Sequence, residues 1–492
     1  MVNDKINVVC SFEEIMKNNI ENNIEQYRKY MNYMKNRVRY KNIKQNIKAY
    51  RRMVAFILVS AMVLLMVSGC GEDKSDKTIT LNIWHVYGEQ ADSPLNDLID
   101  EFNSTVGMQK GITVKPTKVS DTNTLHEAVL ESEKGGPGTE NLPDIFVAYP
   151  KTVLAMQDNT KLVDFNDYLS EEEKDAFIDD FLEEGEINGR LTVLPIAKST
   201  EVLFVNKTLF DRFAEENGVS LEDLGTWEGL FNIARLYSQK TGKPFIADDY
   251  LFNYFQLGLA SKGYSFFSDN GVVMDEEFEK LWTPFAEAAV DGGIWLGSGY
   301  ASEAIRTGDA VVAFASSAGV LYYSDTVTYE DNTSEEFDLI SLPCPIYEGG
   351  EKYAMNRGAG LCLLKTNKDK EEAAMTFLRW LLEPERNVEF VTKTGYMPVT
   401  EKGFSEYLPD AVSTLESSRY KSLYKTFMDM QKSYRFYTPP QVSFYLDKET
   451  LFERNTRQLL SEEAVKYKEK KDEAQLNQGC KEALEKLKEI ME

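Results

Sequence analysis

Two α/β lobes joined by hinge strands, with a ligand cleft between them, are the architecture this 492-residue sequence predicts. Three observations carry that expectation. From residue 79 onward, apolar runs of period two alternate with amphipathic helical runs, the pattern of a mostly parallel sheet covered by helices. The apolar stretch 191–205 is interrupted by Lys198-Ser199-Thr200-Glu201. Burying four polar residues unpaired is costly, so the chain is expected to pass between lobes there and face a cleft. A second extended segment, Ile340 to Pro345, reads as the return crossing.

The elements follow in order. Ile79, Leu81 and Ile83 alternate with Thr80, Asn82 and Trp84 and give the first strand. His85-Val86-Tyr87-Gly88-Glu89 reads as a loop, and Ser93 as the cap of a helix with Pro94 at its first position. Leu95, Leu98, Ile99 and Phe102 form that helix's buried stripe. Ile112–Val119 is the second strand, 124–133 a helix, and Pro143–Ala148 the third strand. Ligands of such sheets sit beyond the carboxyl ends of the strands, which places His85, Tyr87 and Tyr149 at one rim. Asn188-Gly189 is a hairpin turn. Leu191, Val193 and Leu194 form a strand ended by Pro195. Val202–Val205 resumes the apolar run into a helix at Leu209–Asn217. Thr226 caps another helix. Lys243–Tyr250 is a strand entering a polar loop with Asp248, Asp249 and Tyr250. Trp295 lies in a glycine-rich loop, and Gly308–Phe314 is a buried strand ending at Ser316-Ser317. Arg357 stands beside Gly358-Ala359-Gly360, where missing side chains permit close backbone approach to a ligand. Its guanidinium suits a carboxylate, a phosphate or a sugar diol, or else a surface salt bridge. Cys480, Leu484, Leu487 and Met491 are the stripe of a docking helix.

The run from Asn188 to Phe210, glycine turn, strand ending in proline, polar crossing, then Val205-Asn206-Lys207-Thr208-Leu209-Phe210, resembles the hinge segment of extracellular solute-binding proteins of family 1. These are the carbohydrate-binding lipoproteins of ABC importers; most carry an aromatic where Val205 stands. The resemblance covers residues 78–490. It includes Thr226-Trp227, the Gly308-x-Ala310 strand entry and the Gly395-Tyr396-x-Pro398-Val399 turn. Thr394 and Thr400 around that turn are similar to the glycerol-phosphate-binding branch, whose Arg-Gly-x-Arg element is replaced here by Tyr437–Tyr445. The resemblance implies a periplasmic-binding-protein type II-like fold, with Tyr396 pointing to the cleft. It implies carbohydrate capture, an oligosaccharide or related polyol, and delivery to ABC permease transmembrane subunits. A sugar phosphate is the alternative ligand.

The amino end sets the location. Residues 1–53 carry 12 Lys/Arg and 5 Asp/Glu, while the whole chain has net charge −25, so the remainder is strongly acidic. Such a surface repels nucleic acid. Residues 54–68 are uncharged and apolar, too short for a membrane span and suited to an export signal. Val67-Ser68-Gly69-Cys70 is similar to a lipobox, which implies a lipid on Cys70 and a chain anchored on the extracellular face of the cell membrane. The expected organisation is a basic leader over 1–52, a later start such as Met31, Met34 or Met53, a signal and lipobox over 53–69, and a tether over 70–78. The N-terminal lobe is expected over 79–197 plus 343–367, the C-terminal lobe over 198–342 plus 368–492. A monomer is expected.

Candidate ligand contacts are His85, Tyr87, Tyr149, Ser199, Asp248, Tyr250, Trp295, Ser316, Ser317, Arg357 and Tyr396, tyrosines and tryptophan for stacking and polar groups for hydroxyls. Of the remaining cysteines, Cys344, Cys362 and Cys480 have neither zinc spacing nor a disulfide framework, and buried thiols are expected, with a Cys344–Cys362 bridge as the other option. No cofactor, metal or catalytic constellation is expected. A glycoside hydrolase requires two carboxylates facing across a cleft, and no motif marks such a pair. A surface adhesion protein would show repeats, and none are visible.

Overall fold

A computed structural model of the chain describes residues 78–87 and 93–492. The basic leader, the apolar run, Cys10, Cys70 and Glu89 lie outside the described residues. The first sheet contains β1 (Ile79–His85), β2 (Ile112–Lys118), β3 (Ile145–Ala148) and a strand from far along the chain, β9 (Gly360–Leu363). Its order is β9-β3-β1-β2, with β1 parallel to both β2 and β3 and β9 antiparallel to β3. Leu81, Ile83 and all four residues of β3 are buried, as a sheet covered on both faces requires. Ser93 caps the helix Pro94–Ser104, whose buried face is Leu95, Leu98, Ile99 and Phe102.

The second sheet contains β4 (Glu201–Asn206), β5 (Ile246–Asp248), β6 (Ile294–Trp295), β7 (Val312–Ser316) and β8 (Leu339–Leu342), in the order β6-β5-β7-β4-β8. The chain therefore leaves the first sheet before β4 and returns to it between β8 and β9. The expected strand 191–194 is shorter than the sequence implies. Arg190–Leu191 pairs only with Glu186–Ile187 across a turn in which Asn188 and Gly189 have φ of 53° and 75°. Leu194 makes a lone antiparallel bridge to Leu361.

The glycines of the return crossing approach backbone, not ligand. A Cβ on Gly360 would lie 2.6 Å from the Leu194 carbonyl oxygen. On Gly358, where φ is 104°, it would lie 2.9 Å from the Ala197 carbonyl. The two crossings thus pack against each other. The helix Lys368–Leu381, expected with the second lobe, packs instead on β1 and on the helix Pro94–Ser104, burying Phe377 and Trp380 against Phe102. The chain crosses again before Ser418–Ser433, which packs on β8. Arg435–Tyr437 then pairs with Tyr353–Met355, and the helices Tyr445–Lys470 and Glu473–Met491 finish against Glu276–Val290. Cys344, Cys362 and Cys480 are all free and buried. Among the described residues no helix is long and apolar enough to cross a membrane.

Candidate functional site

The polar interruption at 198–201 joins the two crossings rather than facing open space. All four residues are buried. Ser199 donates its N–H to the Arg357 carbonyl at 2.7 Å and accepts the Arg357 N–H at 2.9 Å. Lys198 pairs with the Glu184 carboxylate and donates to the Gly358 carbonyl at 3.0 Å. Burial pushes the Lys198 ammonium down and the Glu184 carboxyl up, and their contact opposes both shifts. Glu201, also fully buried, accepts hydrogen bonds on Oε1 from Arg357 at 2.6 Å and from Asn253.

Beside this joint lies a cleft of about 650 Å³. One wall is built by the amino ends of the helices Thr122–Lys134 and Pro150–Ala155, carrying His126, Tyr149 and Lys151. The other comes from Asp249, Tyr250, Asn253 and Tyr300 of the second lobe. The segment Thr438-Pro439-Pro440-Gln441-Val442, with Tyr445, Glu449 and Glu453 of the following helix, closes it. Arg357 lies on the floor with its guanidinium carbon 3.7 Å from the centre of the Tyr250 ring. At that separation a desolvated cation is attracted by the ring face. Burial raises the Tyr149 and Tyr250 hydroxyls above their usual range, and the Arg357 charge partly offsets it. These tyrosines stay protonated and can both donate and accept.

Two ion pairs line the cleft. Lys151 meets Glu449 at 3.2 Å across the cleft, and Arg457 meets Glu453 at 3.6 Å. Asp249 accepts the Ala301 N–H at 2.7 Å, and burial raises its carboxyl to about 6. Glu453, which accepts the Phe252 N–H at 2.8 Å, is raised to about 7 for the same reason. Arg454 stands exposed at the rim. Among the described residues no group of three or more His, Cys, Asp or Glu is placed to hold a metal ion.

Of the residues singled out by sequence, the structure brings Tyr149, Tyr250 and Arg357 together in the cleft. Tyr396 is half-buried behind them, its ring edge-on to Tyr87 at 5.4 Å. The others hold this scaffold in place. His85 ends β1 fully buried, with Nε2 on Asn96 Oδ1 at 2.8 Å and Nδ1 accepting the Tyr87 N–H. Burial lowers its pKa to about 4, so it is neutral. Tyr87 donates its hydroxyl to the Ala359 carbonyl at 3.1 Å and packs on Phe390. The Asp248 carboxylate accepts the Tyr250 N–H at 2.7 Å, which sets the turn presenting Tyr250. Trp295 covers Gly297. Ser316 pairs with Glu201 at the β7–β4 edge, Ser317 is buried against Thr200, and Ser199 enters through its backbone.

Sequence reasoning missed His126, Tyr300, Gln441 and Tyr445. The signal available for the last two was Pro439-Pro440, which forbids helix and forces an extended passage just ahead of a long helix. Gln441 fixes that passage by donating to the Glu186 carbonyl at 2.6 Å. Asn356 fixes it from the other side, donating to the Asp180 carbonyl at 2.8 Å and to Thr438 at 3.1 Å.

A family model described as bacterial extracellular solute-binding protein matches residues 97–408. Among curated proteins nothing matches. Solved structures share the fold. The cyclic α-maltosyl-1,6-maltose binding protein from Arthrobacter globiformis superposes with a TM-score of 0.63 at 19% identity, covering 84% of this chain and 99% of that one. The ABC substrate-binding protein Lmo0181 from Listeria monocytogenes, in complex with cycloalternan, gives 0.62 at 14% identity, with 84% and 99% covered. UgpB from Mycobacterium tuberculosis, in complex with glycerophosphocholine, gives 0.61 at 16% identity, with 84% and 98% covered.

Proposed function

Because the chain belongs to the bacterial extracellular solute-binding proteins, we propose that it captures an oligosaccharide or related polyol in this cleft and delivers it to an ABC permease. The observation that carries the reading is the cleft itself. It combines the rings of Tyr149, Tyr250, Tyr300 and Tyr445 with hydrogen-bonding groups at the junction of two lobes. Aromatic faces stack on the C–H faces of sugar rings while fixed polar groups read hydroxyls. The volume suits a ligand of several rings. The cyclic α-maltosyl-1,6-maltose binding protein and the protein in complex with cycloalternan support a saccharide, and UgpB with glycerophosphocholine keeps a phosphate-bearing polyol as the alternative.

Binding proceeds by hinge closure about the paired crossings. Tyr149 and Tyr250 approach the ligand from opposite lobes, and Tyr396 backs them. The protein retains its ligand without chemical change and acts as a monomer, with no nucleic-acid partner. The lobes divide near residue 197 and, on the return, near Arg357 rather than at 342, because Ile346 and Tyr347 still bond to Gly225, Trp227 and Tyr254. Cys70 carries the lipid that tethers the chain to the extracellular face of the cell membrane.

The test is a thermal-shift panel of neutral oligosaccharides, polyols and sugar phosphates on the purified protein. Binding to the folded form raises Tm by mass action. A saccharide that raises Tm in the wild type and not in Tyr250→Ala supports the reading. New reducing ends on incubation with oligosaccharides would replace it with hydrolysis. Release of a Cys70→Ala protein into the medium tests the anchor.

A further inference from the structure

Arg357 lines the cleft with its side chain mostly buried, and its charge already has a partner. Its NH1 group meets Glu201 Oε1 at 2.6 Å, and the Glu201 side chain is completely buried. Asn253 donates to the same oxygen. Two donors on one oxygen leave no room for a proton there. Burial raises the Glu201 carboxyl, and the Arg357 charge and the Asn253 hydrogen bond oppose that shift. A guanidinium at 2.6 Å is the partner that holds the group as a carboxylate.

The carboxylate is held from behind. Gln256 donates to Asn253 Oδ1 at 2.6 Å and to the Tyr445 hydroxyl at 2.9 Å, so the chain of bonds starts at the hinge and ends on a cleft wall. The same matching recurs at Lys151–Glu449 and Arg457–Glu453. Arg454 carries its charge at the exposed rim, where water screens it.

We propose that Glu201 is an internal counter-ion that positions Arg357 and makes the cleft select uncharged, hydroxyl-bearing ligands over anionic ones. This rests on the carbohydrate reading above and adds the ligand's charge. An anion reaching Arg357 meets a fixed carboxylate on the far side of the same guanidinium, and like charges brought together across an interface are strongly disfavoured. A sugar hydroxyl meets no such opposition. It accepts from the guanidinium N–H groups that Glu201 leaves free and donates to a tyrosine oxygen. The Tyr250 ring under the guanidinium fixes its plane.

The test uses inorganic phosphate, which needs no knowledge of the natural ligand. Phosphate is titrated calorimetrically into the wild type, Glu201→Gln, Arg357→Gln and the double variant. The wild type is expected to show no phosphate binding that depends on Arg357. Glu201→Gln, which keeps the shape and removes the charge, should bind phosphate about tenfold or more tighter than the wild type. The gain should fall with added salt and vanish in the double variant. A folded Glu201→Gln protein with no gain overturns the proposal. If Glu201→Gln does not fold, wild-type binding of phosphate that Arg357→Gln removes overturns it, and its absence supports it. In parallel, maltose and maltotriose are compared with their phosphate esters on the wild type, and tighter binding of an ester overturns the proposal. If neither sugars nor esters bind while the phosphate pattern holds, the carbohydrate reading fails and the counter-ion stands.

Discussion

Replacing Lys198 by methionine is the sharpest probe of the joint between the lobes. The Lys198 and Glu184 side chains are 3% and 9% exposed, so neither charge has water to fall back on. Lys198→Met keeps the length of the stem and removes the ammonium. Glu184 then loses its counter-charge, and the Gly358 carbonyl loses a donor at 3.0 Å. Breaking a buried pair from one side costs about 3–5 kcal/mol, a large part of the roughly 5–15 kcal/mol by which a domain is stable. For a folded unit this large, 1 kcal/mol moves Tm by only about 1 °C, so urea unfolding is the better assay. The expected loss has a pH signature. The carboxyl left behind has a pKa raised by burial, so the protonated form is the stable one in the fold. The variant should be hurt less near pH 5 than near pH 8. Adding Glu184→Leu should recover much of the loss, since apolar replacement of a whole buried pair is often neutral. A loss below about 1 kcal/mol, the size expected of a surface pair, would refute the claim that this pair is sealed between the crossings. So would additive losses in the double variant.

Gly360→Ala, with its new methyl 2.6 Å from the Leu194 carbonyl, should cost about 1–3 kcal/mol by urea unfolding, whereas Gly189→Ala would meet nothing within 4 Å and lose only what its positive φ demands. Glu453, raised by burial from 4.5 to about 7, adds stability below pH 4.5 that is lost as pH rises through 7. His85, lowered by burial from 6.5 to about 4, adds stability above pH 6.5 that is lost as pH falls toward 4. Glu453→Gln should therefore lift the urea midpoint at pH 8 more than at pH 5, and His85→Asn should flatten the acid side, each by up to about 3 kcal/mol. Finally, Cys344, Cys362 and Cys480 should resist a thiol reagent until urea is added, as peptide mapping of the labelled protein would show.

Much of the fold was legible because period and capping are local. Ile79–Ile83, the Ser93-Pro94 start and the 480–491 stripe all stand where alternation and spacing put them. Less legible was what the polar residues face: Tyr149, Tyr250 and Arg357 do line the cleft, while His85 and Ser317 are buried in the scaffold. The polar run at 198–201 was rightly seen as a crossing, yet its partners, Glu184 and Arg357, lie 14 and 156 positions away in the chain and no periodicity reports them. His85 is expected at the rim because it stands at the carboxyl end of the first strand, where ligands of such sheets sit. It is sealed by Asn96 one helical turn into the next element. The helix Lys368–Leu381 shows a clear apolar face, and that face fits either lobe equally well on paper. Its place is decided by the aromatic contacts of Phe377 and Trp380 with Phe102 and by ion pairs such as Lys370–Asp144.

The physical demands of the crossings also explain how Arg357 comes to lie in the cleft. A chain that passes repeatedly between two sheets must satisfy backbone groups that no sheet covers. Here the crossings satisfy each other, through Ser199 with Arg357 and Leu194 with Leu361. Gly358 and Gly360 let them approach closely enough to do so. Arg357 is at once a backbone partner in that tie, the counter-ion of Glu201 and a side chain on the cleft floor. The same residue therefore links the tie between the two sheets to the cleft walls that carry Tyr149 and Tyr250.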